Sequence, residues 1–307
     1  SWGSANGSLS YYDFNEETAY NNIFKTANGR DLGDTPNHMV INDDKIYIVM
    51  NGSNLMEIIG RDNAVSITSV DLGAGFAPAF MAKYADMLFI TSLYNSSVSV
   101  FNMSNNSLVP ENISVSMFPE GIIQSGGKIY AANSGFGSGN TVTVIDAETR
   151  TVLKEIAVSE NPRFFAEGPS GNLFVICAGA YNDFANPDDD TYGKIFKISP
   201  LDDSIVDSFL VGGHPGKFDI SSNGRGYVST ETGIMEFDTE PFRIINENFI
   251  EGNYYCVKVR QSNGDIWVAD AKDFLSAGEV SIYSSGGTFR KSFYVGISPG
   301  EIVFEER

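Results

Sequence analysis

The chain has 307 residues, among them 31 Gly, 22 Phe and 14 Tyr, and a formal charge of −19. That charge has the wrong sign for neutralising phosphates, so nucleic acid is excluded as a partner. No apolar run is long enough to cross a bilayer, and none keeps helical spacing over three turns, so the composition reads as all-β.

In chain order, the first expected strand covers residues 9–12, with a turn from Asp13 to Thr18. Next comes Thr35-Pro36-Asn37-His38-Met39, the first copy of a recurring segment. Further copies centre on Pro78, Pro119, Pro162, Pro215, Tyr254 and Pro299, at spacings of 42, 41, 43, 53, 39 and 45 residues. An apolar second segment follows each of the first six copies: residues 46–48, 88–90, 129–131, 173–175, 226–228 and 266–268. Turns such as Ser170-Gly171, Asn223-Gly224 and Asn263-Gly264 join the two, because Gly and Asn tolerate positive φ. A third, β-branched and aromatic segment occurs seven times, first at residues 9–12 and last at 280–283. An outer strand follows it.

Fixed-period units of this length, with four strands each, predict a β-propeller. Seven first and seven third segments predict seven four-stranded blades in a single domain over residues 1–307. The chain begins inside one blade and ends on an innermost strand. The ring is therefore expected to close by the C-terminal strand joining the first blade.

A propeller collects the loops that enter its innermost strands, and those between second and third strands, on one face. These loops carry aromatic and amide side chains suited to a large, mostly apolar ligand with a polar fringe. The expected binding residues are Trp2, Asn6, Asn51, Tyr94, Asn133, Phe136, Tyr181, Phe184, Tyr192, Arg163, Phe274 and Tyr254. The loop from Cys177 to Gly193 accounts for the 53-residue spacing and reads as a lid over that face. Its Asp188, Asp189 and Asp190 lack the spacing of a calcium loop and read as solvated acid. Cys177 and Cys256 lie in apolar strands and are expected as buried free thiols. No cofactor is called for.

Gly135-Phe136-Gly137-Ser138-Gly139 has no helix after it and cannot form a phosphate-binding turn. No Gly-x-Ser-x-Gly, P-loop or His-Glu-x-x-His pattern is present, so binding is expected rather than catalysis.

Gly171-Asn172-Leu173-Phe174-Val175 and Val142-Thr143-Val144-Ile145-Asp146 resemble the repeat of YVTN-type propellers. The opening Trp2-Gly3-Ser4-Ala5-Asn6-Gly7-Ser8-Leu9-Ser10-Tyr11-Tyr12-Asp13, with Leu32-Gly33-Asp34-Thr35, is similar to surface propeller lipoproteins of gut Bacteroidetes. Those include the BtuG type, which captures cobalamin and passes it to an outer-membrane transporter. The resemblance implies an exported protein, lipid-anchored at the cell surface through a segment before residue 1. It also implies a corrinoid ligand on the propeller face. Two other functions stay open: a protein-interaction or surface-layer propeller without a small ligand, and a propeller hydrolase or lactonase. The last would need a divalent ion held by acids such as Asp34, Glu120 or Glu301.

Overall fold

The computed structural model describes residues 3–181 and 189–305. It is an all-β propeller of six antiparallel sheets, each filling four strand positions from the central channel outward. Blade 1 comprises Pro36–Asn42, Lys45–Met50, Leu55–Gly60 and Ser66–Asp71. Blade 2 comprises Pro78–Tyr84, Met87–Ser92 and Ser97–Asn102, and two short pieces, Ser107–Leu108 and Ile113–Ser114, share its outer position. Blade 3 runs Pro119–Ser125, Lys128–Asn133, Thr141–Asp146 and Thr151–Ala157. Blade 4 runs Pro162–Glu167, Leu173–Cys177, Lys194–Ser199 and Ser204–Leu210. Blade 5 runs Phe218–Ile220, Arg225–Thr230, Gly233–Thr239 and Phe242–Glu251. Blade 6 runs Cys256–Val259, Ile266–Asp270, Ala277–Tyr283 and Phe289–Ile297.

The second strands show why the repeat reads as it does. Each is flanked in its own sheet and covered by a blade on either face, so both side-chain faces are apolar. Leu88, Phe89 and Ile90 are all fully buried. Alternate residues point to opposite faces of the sheet. Leu88 and Ile90 accordingly pack with Tyr47 and Val49 of blade 1, whereas Phe89 packs with Ile129 and Ala131 of blade 3. The same alternation carries Tyr130 to Leu173 and Val175, and Phe174 to Val228. The core is thus a series of inter-blade seams. Blade 5 departs from the Ile/Leu pattern at Gly226 because a Cβ there would lie 2.0 Å from the Phe237 ring, which fills the space instead.

The count of seven closed blades is corrected to six. The seventh unit is a hairpin, Tyr11–Asp13 with Thr18–Tyr20, that forms a two-stranded sheet of its own. Residues 298–305 form no strand ladder. The sequence carries seven first and seven third segments and six second ones, and among the described residues no strand joins residues 298–305 to Tyr11–Asp13. Packing still reaches this sector from both neighbours. Leu9, Leu32 and Phe24 of the short helix Ile23–Asn28 pack on Ile48 and Met50 of blade 1. Tyr12, Ile302 and Phe304 pack around Trp267 of blade 6, and Arg61 pairs with Glu305 at 3.1 Å.

Cys177 and Cys256 are buried free thiols, and burial pushes their pKa values up to about 12 and about 11.

Candidate functional site at the channel mouth

The residue after each central Pro or Tyr faces the mouth of the channel, and the next one faces deeper in. The mouth positions are Asn37, Ala79, Glu120, Arg163, Gly216, Tyr255 and Gly300; the deeper ones are His38, Phe80, Gly121, Phe164, Lys217, Cys256 and Glu301. The deeper layer is filled. Phe80 and Phe164 meet with ring centroids 5.7 Å apart, and His38 lies 5.1 Å from Phe80. The Lys217 ammonium sits 5.2 Å from the Phe80 ring and 5.7 Å from the Phe164 ring, and it is paired with Glu301. Burial alone would lower the pKa of Lys217; the attraction of Glu301 outweighs it and raises the pKa instead. Lower down, Lys258 pairs with Asp219 at 3.2 Å.

Four of the mouth positions, Asn37, Ala79, Glu120 and Arg163, line a pocket of about 370 Å³ together with Thr35, Asn51, Leu93, Phe136 and Asn161. Arg163 and Glu120 cross it as a bidentate pair, with Nε 3.0 Å from both carboxylate oxygens and Nη2 2.6 Å from Oε1. Such a planar fork fixes the orientation of both side chains. Asn37, Asn51 and Asn161 each donate their amide N–H to a main-chain carbonyl, of Ala79, Pro78 and Gly179 respectively.

Three groups of aromatics reach the surface. Phe136 contacts Phe118 at 4.5 Å and Tyr94 at 5.9 Å. It holds a left-handed backbone (φ 52°) inside the turn Gly135–Gly137, where Ser134 Oγ accepts its N–H. Tyr181 stacks on His214 at 3.5 Å, and the His214 Nδ1 lies 3.0 Å from the Ala178 carbonyl. Tyr255 meets Phe274 edge-on at 5.6 Å. Phe136, Tyr181, Phe274 and Tyr94 are each more than half exposed.

The residues expected from sequence divide accordingly. Asn51, Phe136 and Arg163 line the pocket, Tyr94 adjoins it through its contact with Phe136, and Tyr181 and Phe274 are exposed outside its lining. Tyr192 lies beside His214 at 6.5 Å but lines a separate hollow with Asn140, Glu160 and Thr191. Asn6 is exposed on the N-terminal segment, away from the pocket lining. Asn133 is corrected: it is fully buried and donates to the Thr141 and Thr143 hydroxyls within its blade. Tyr254 is corrected as well. Its hydroxyl meets Tyr283 at 2.9 Å and its ring packs into the seam between blades 5 and 6, so Tyr255 is the residue at the mouth. Trp2, Phe184 and Asp188 lie outside the described residues. The central part of the expected lid, residues 182–188, lies there too. Sequence reasoning missed Thr35, Ala79, Leu93, Asn161 and Tyr255; the offset from the central Pro or Tyr was the signal that locates Ala79 and Tyr255.

The acids considered for a channel ion are engaged elsewhere. Glu120 holds Arg163, Glu301 holds Lys217, and Asp34 accepts from the Gly3 N–H and the Thr35 hydroxyl. Among the described residues no three His, Cys, Asp or Glu side chains converge to hold a metal.

Solved structures share the architecture at low identity, which establishes the fold alone. A quinonprotein alcohol dehydrogenase-like protein from Bacteroides thetaiotaomicron superposes with a TM-score of 0.70 at 15% identity, over 95% of this chain and 74% of that one. Hydrazine synthase of Kuenenia stuttgartiensis gives 0.68 at 16%, over 81% and 76%. A catalytically inactive virginiamycin B lyase from Staphylococcus aureus, with quinupristin, gives 0.64 at 13%, over 95% and 89%. No curated protein matches the sequence. Residues 1–239 match the family described as a domain of unknown function, DUF5074, and the chain belongs to that family.

Proposed function

We propose that this propeller is an exported, surface-anchored binding protein that captures a large ligand of corrinoid type at its channel mouth and hands it to an outer-membrane transporter. The observation that carries the reading is the pairing of a polar pocket of about 370 Å³ with the exposed ring of Phe136 in its lining and that of Tyr94 against it. A pocket of that size admits the edge of a macrocycle and leaves its flat body on the rim. Exposed aromatics there serve as stacking surfaces for such a body. The resemblance of the opening segment to cobalamin-capturing surface lipoproteins supports the ligand class, the anchor and the transporter. On the same reading, the hairpin Tyr11–Asp13/Thr18–Tyr20 and residues 298–305 are the outer and inner parts of a seventh blade. Calorimetric titration with cyanocobalamin tests the proposal. Saturable one-to-one binding is expected; no heat and no thermal shift would sink it and favour a protein partner.

A further inference from the structure

The three amides on the pocket wall have a fixed orientation. Each faces a main-chain carbonyl, and a carbonyl oxygen only accepts, so each amide must turn its NH₂ toward that partner. The bonds run from Asn37 Nδ2 to Ala79 O at 2.6 Å, from Asn51 Nδ2 to Pro78 O at 3.1 Å and from Asn161 Nδ2 to Gly179 O at 2.9 Å. Among the described residues none of the three Oδ1 atoms accepts a hydrogen bond. The pocket thus presents three neutral acceptors, two on blade 1 and one leading into blade 4. Its free donors are the Arg163 N–H groups not spent on Glu120, chiefly those of Nη1, and the second N–H of each amide.

This mixture discriminates between charge states. A carboxylate would gain Arg163 Nη1 but face three amide oxygens and the Glu120 carboxylate. An ammonium would gain the oxygens but face the guanidinium. An ester or ether has no hydrogen to give. A primary carboxamide has two N–H donors for the Asn oxygens and one carbonyl for Arg163. We infer that the mouth pocket is a recognition site for an uncharged primary carboxamide, with Asn37, Asn51, Asn161 and Arg163 as its specificity-determining residues. The inference deepens the proposed function and rests on the mouth being the binding face: the carboxamide would be a side group projecting from the edge of the larger ligand. A site built to hydrogen-bond a donor disfavours an analogue lacking it, because the analogue displaces water from these acceptors without replacing its hydrogen bonds.

The test uses small probes, so that it does not depend on the corrinoid. The 307-residue protein, labelled with ¹⁵N, is titrated with propionamide, methyl propionate, sodium propionate and propan-1-ol, following the side-chain signals of Asn37, Asn51, Asn161 and Arg163. Saturable shifts at these four residues with propionamide, at least tenfold weaker or absent with the other three, are expected. Equal shifts with all four probes, or none with propionamide, would overturn the inference. An Asn51→Ala variant, checked for an unchanged melting temperature, should weaken propionamide alone; if Asn51→Ala fails to fold, Asn37→Ser supplies the same comparison. A cyanocobalamin titration run alongside separates the two claims. Propionamide binding without cyanocobalamin binding removes the corrinoid and keeps the carboxamide site. Cyanocobalamin binding without propionamide binding does the reverse.

Discussion

Phe80 and Phe164 touch across the channel at 5.7 Å although blade 3 lies between their blades, because the intervening position is Gly121. A Cβ on Gly121 would lie 2.1 Å from the Arg163 carbonyl and 3.2 Å from the Phe164 Cα. Backbone atoms cannot yield as a side-chain tip can. Gly121→Ala should therefore separate blades 3 and 4 at the channel and cost about 3 kcal/mol or more. The chemical-denaturation midpoint reads this directly. An unchanged midpoint would mean that the innermost strands of blades 3 and 4 are less closely apposed than described.

The Glu120–Arg163 pair invites a double-mutant cycle. Arg163→Met leaves a mostly buried carboxylate without its partner, and a loss of about 1–3 kcal/mol is expected. Replacing both residues, as Glu120→Gln with Arg163→Met, removes the charge together with its need and should recover part of that loss. Urea unfolding of the wild type, both single variants and the double variant measures the coupling. Additive losses would show that the two groups are independently solvated.

His38 gives the channel a pH dependence whose sign can be worked out. Burial is the main cause that brings its pKa down from 6.5 to about 4; Lys217 and Lys258 push the same way and Glu301 opposes them. Between those values the unfolded chain binds a proton that the folded chain refuses, so stability falls on acidification through this window. Glu301 has its pKa held below the ordinary carboxylate value, since Lys217 and His38 outweigh its burial, so it adds its own loss only at lower pH. Burial raises the pKa of Glu236, which works the other way on acidification, so the comparison of pH 7 with pH 5 is made against a variant lacking the imidazole. The ring is half-buried rather than sealed, so a loss of about 1–2 kcal/mol is expected. His38→Gln should flatten that part of the profile; a slope unchanged in the variant would assign it to another group.

The fold was legible in the sequence because the physics of a blade writes itself as a pattern. A strand enclosed on both faces must be apolar throughout, hence Ile46-Tyr47-Ile48 and Leu88-Phe89-Ile90, and its hairpin must turn on Gly or Asn. The number of blades was not legible from first and third segments alone, because a blade needs a second strand between them and, among the described residues, six sheets have one. The site was legible only in outline. Tyr254 and Tyr255 are adjacent and chemically alike, and only the register of one strand decides which meets the channel and which hydrogen-bonds Tyr283. Asn133 looked like a loop amide, yet its ladder partner Thr141 places it at the end of a strand, inside the blade. Asn161 precedes a proline and gave no sign of its own that its amide would turn into the pocket.

The exposed aromatics should affect binding and leave folding alone. Phe136 and Phe274 are 58% and 53% exposed, so truncating either removes little buried surface. Phe136→Ala and Phe274→Ala should each change stability by no more than about 0.5 kcal/mol. Each should weaken cyanocobalamin by roughly five- to thirtyfold if the aromatic provides a stacking face worth about 1–2 kcal/mol. Leu201, 95% exposed and in the turn joining the third and outer strands of blade 4, is the control: Leu201→Ala should leave affinity unchanged. Equal effects at all three positions would place the ligand somewhere other than the mouth.

The seventh sector makes a prediction about local stability. Tyr11–Asp13 pairs with Thr18–Tyr20 on one side only, whereas Lys45–Met50 is paired on both. A strand with a free edge and a ladder three residues long opens without unfolding its neighbours. Side-chain ties oppose this: Tyr12 stacks on Phe293 at 4.7 Å and meets Trp267 at 5.1 Å, Phe14 lies under the Arg260 guanidinium at 3.7 Å, Asn21 donates to the Tyr294 carbonyl at 3.0 Å, and Lys291 pairs with Glu17 at 2.7 Å. None of them protects a main-chain amide of the hairpin. Amide exchange over residues 11–20 should therefore run at least a hundredfold faster than over residues 45–50, while the Tyr12–Phe293 contact keeps the hairpin docked. Protection equal to that of blade 1 would mean that Tyr11–Asp13 has a strand partner in solution on its free edge, and that the propeller there has the seventh complete blade its repeat count implies.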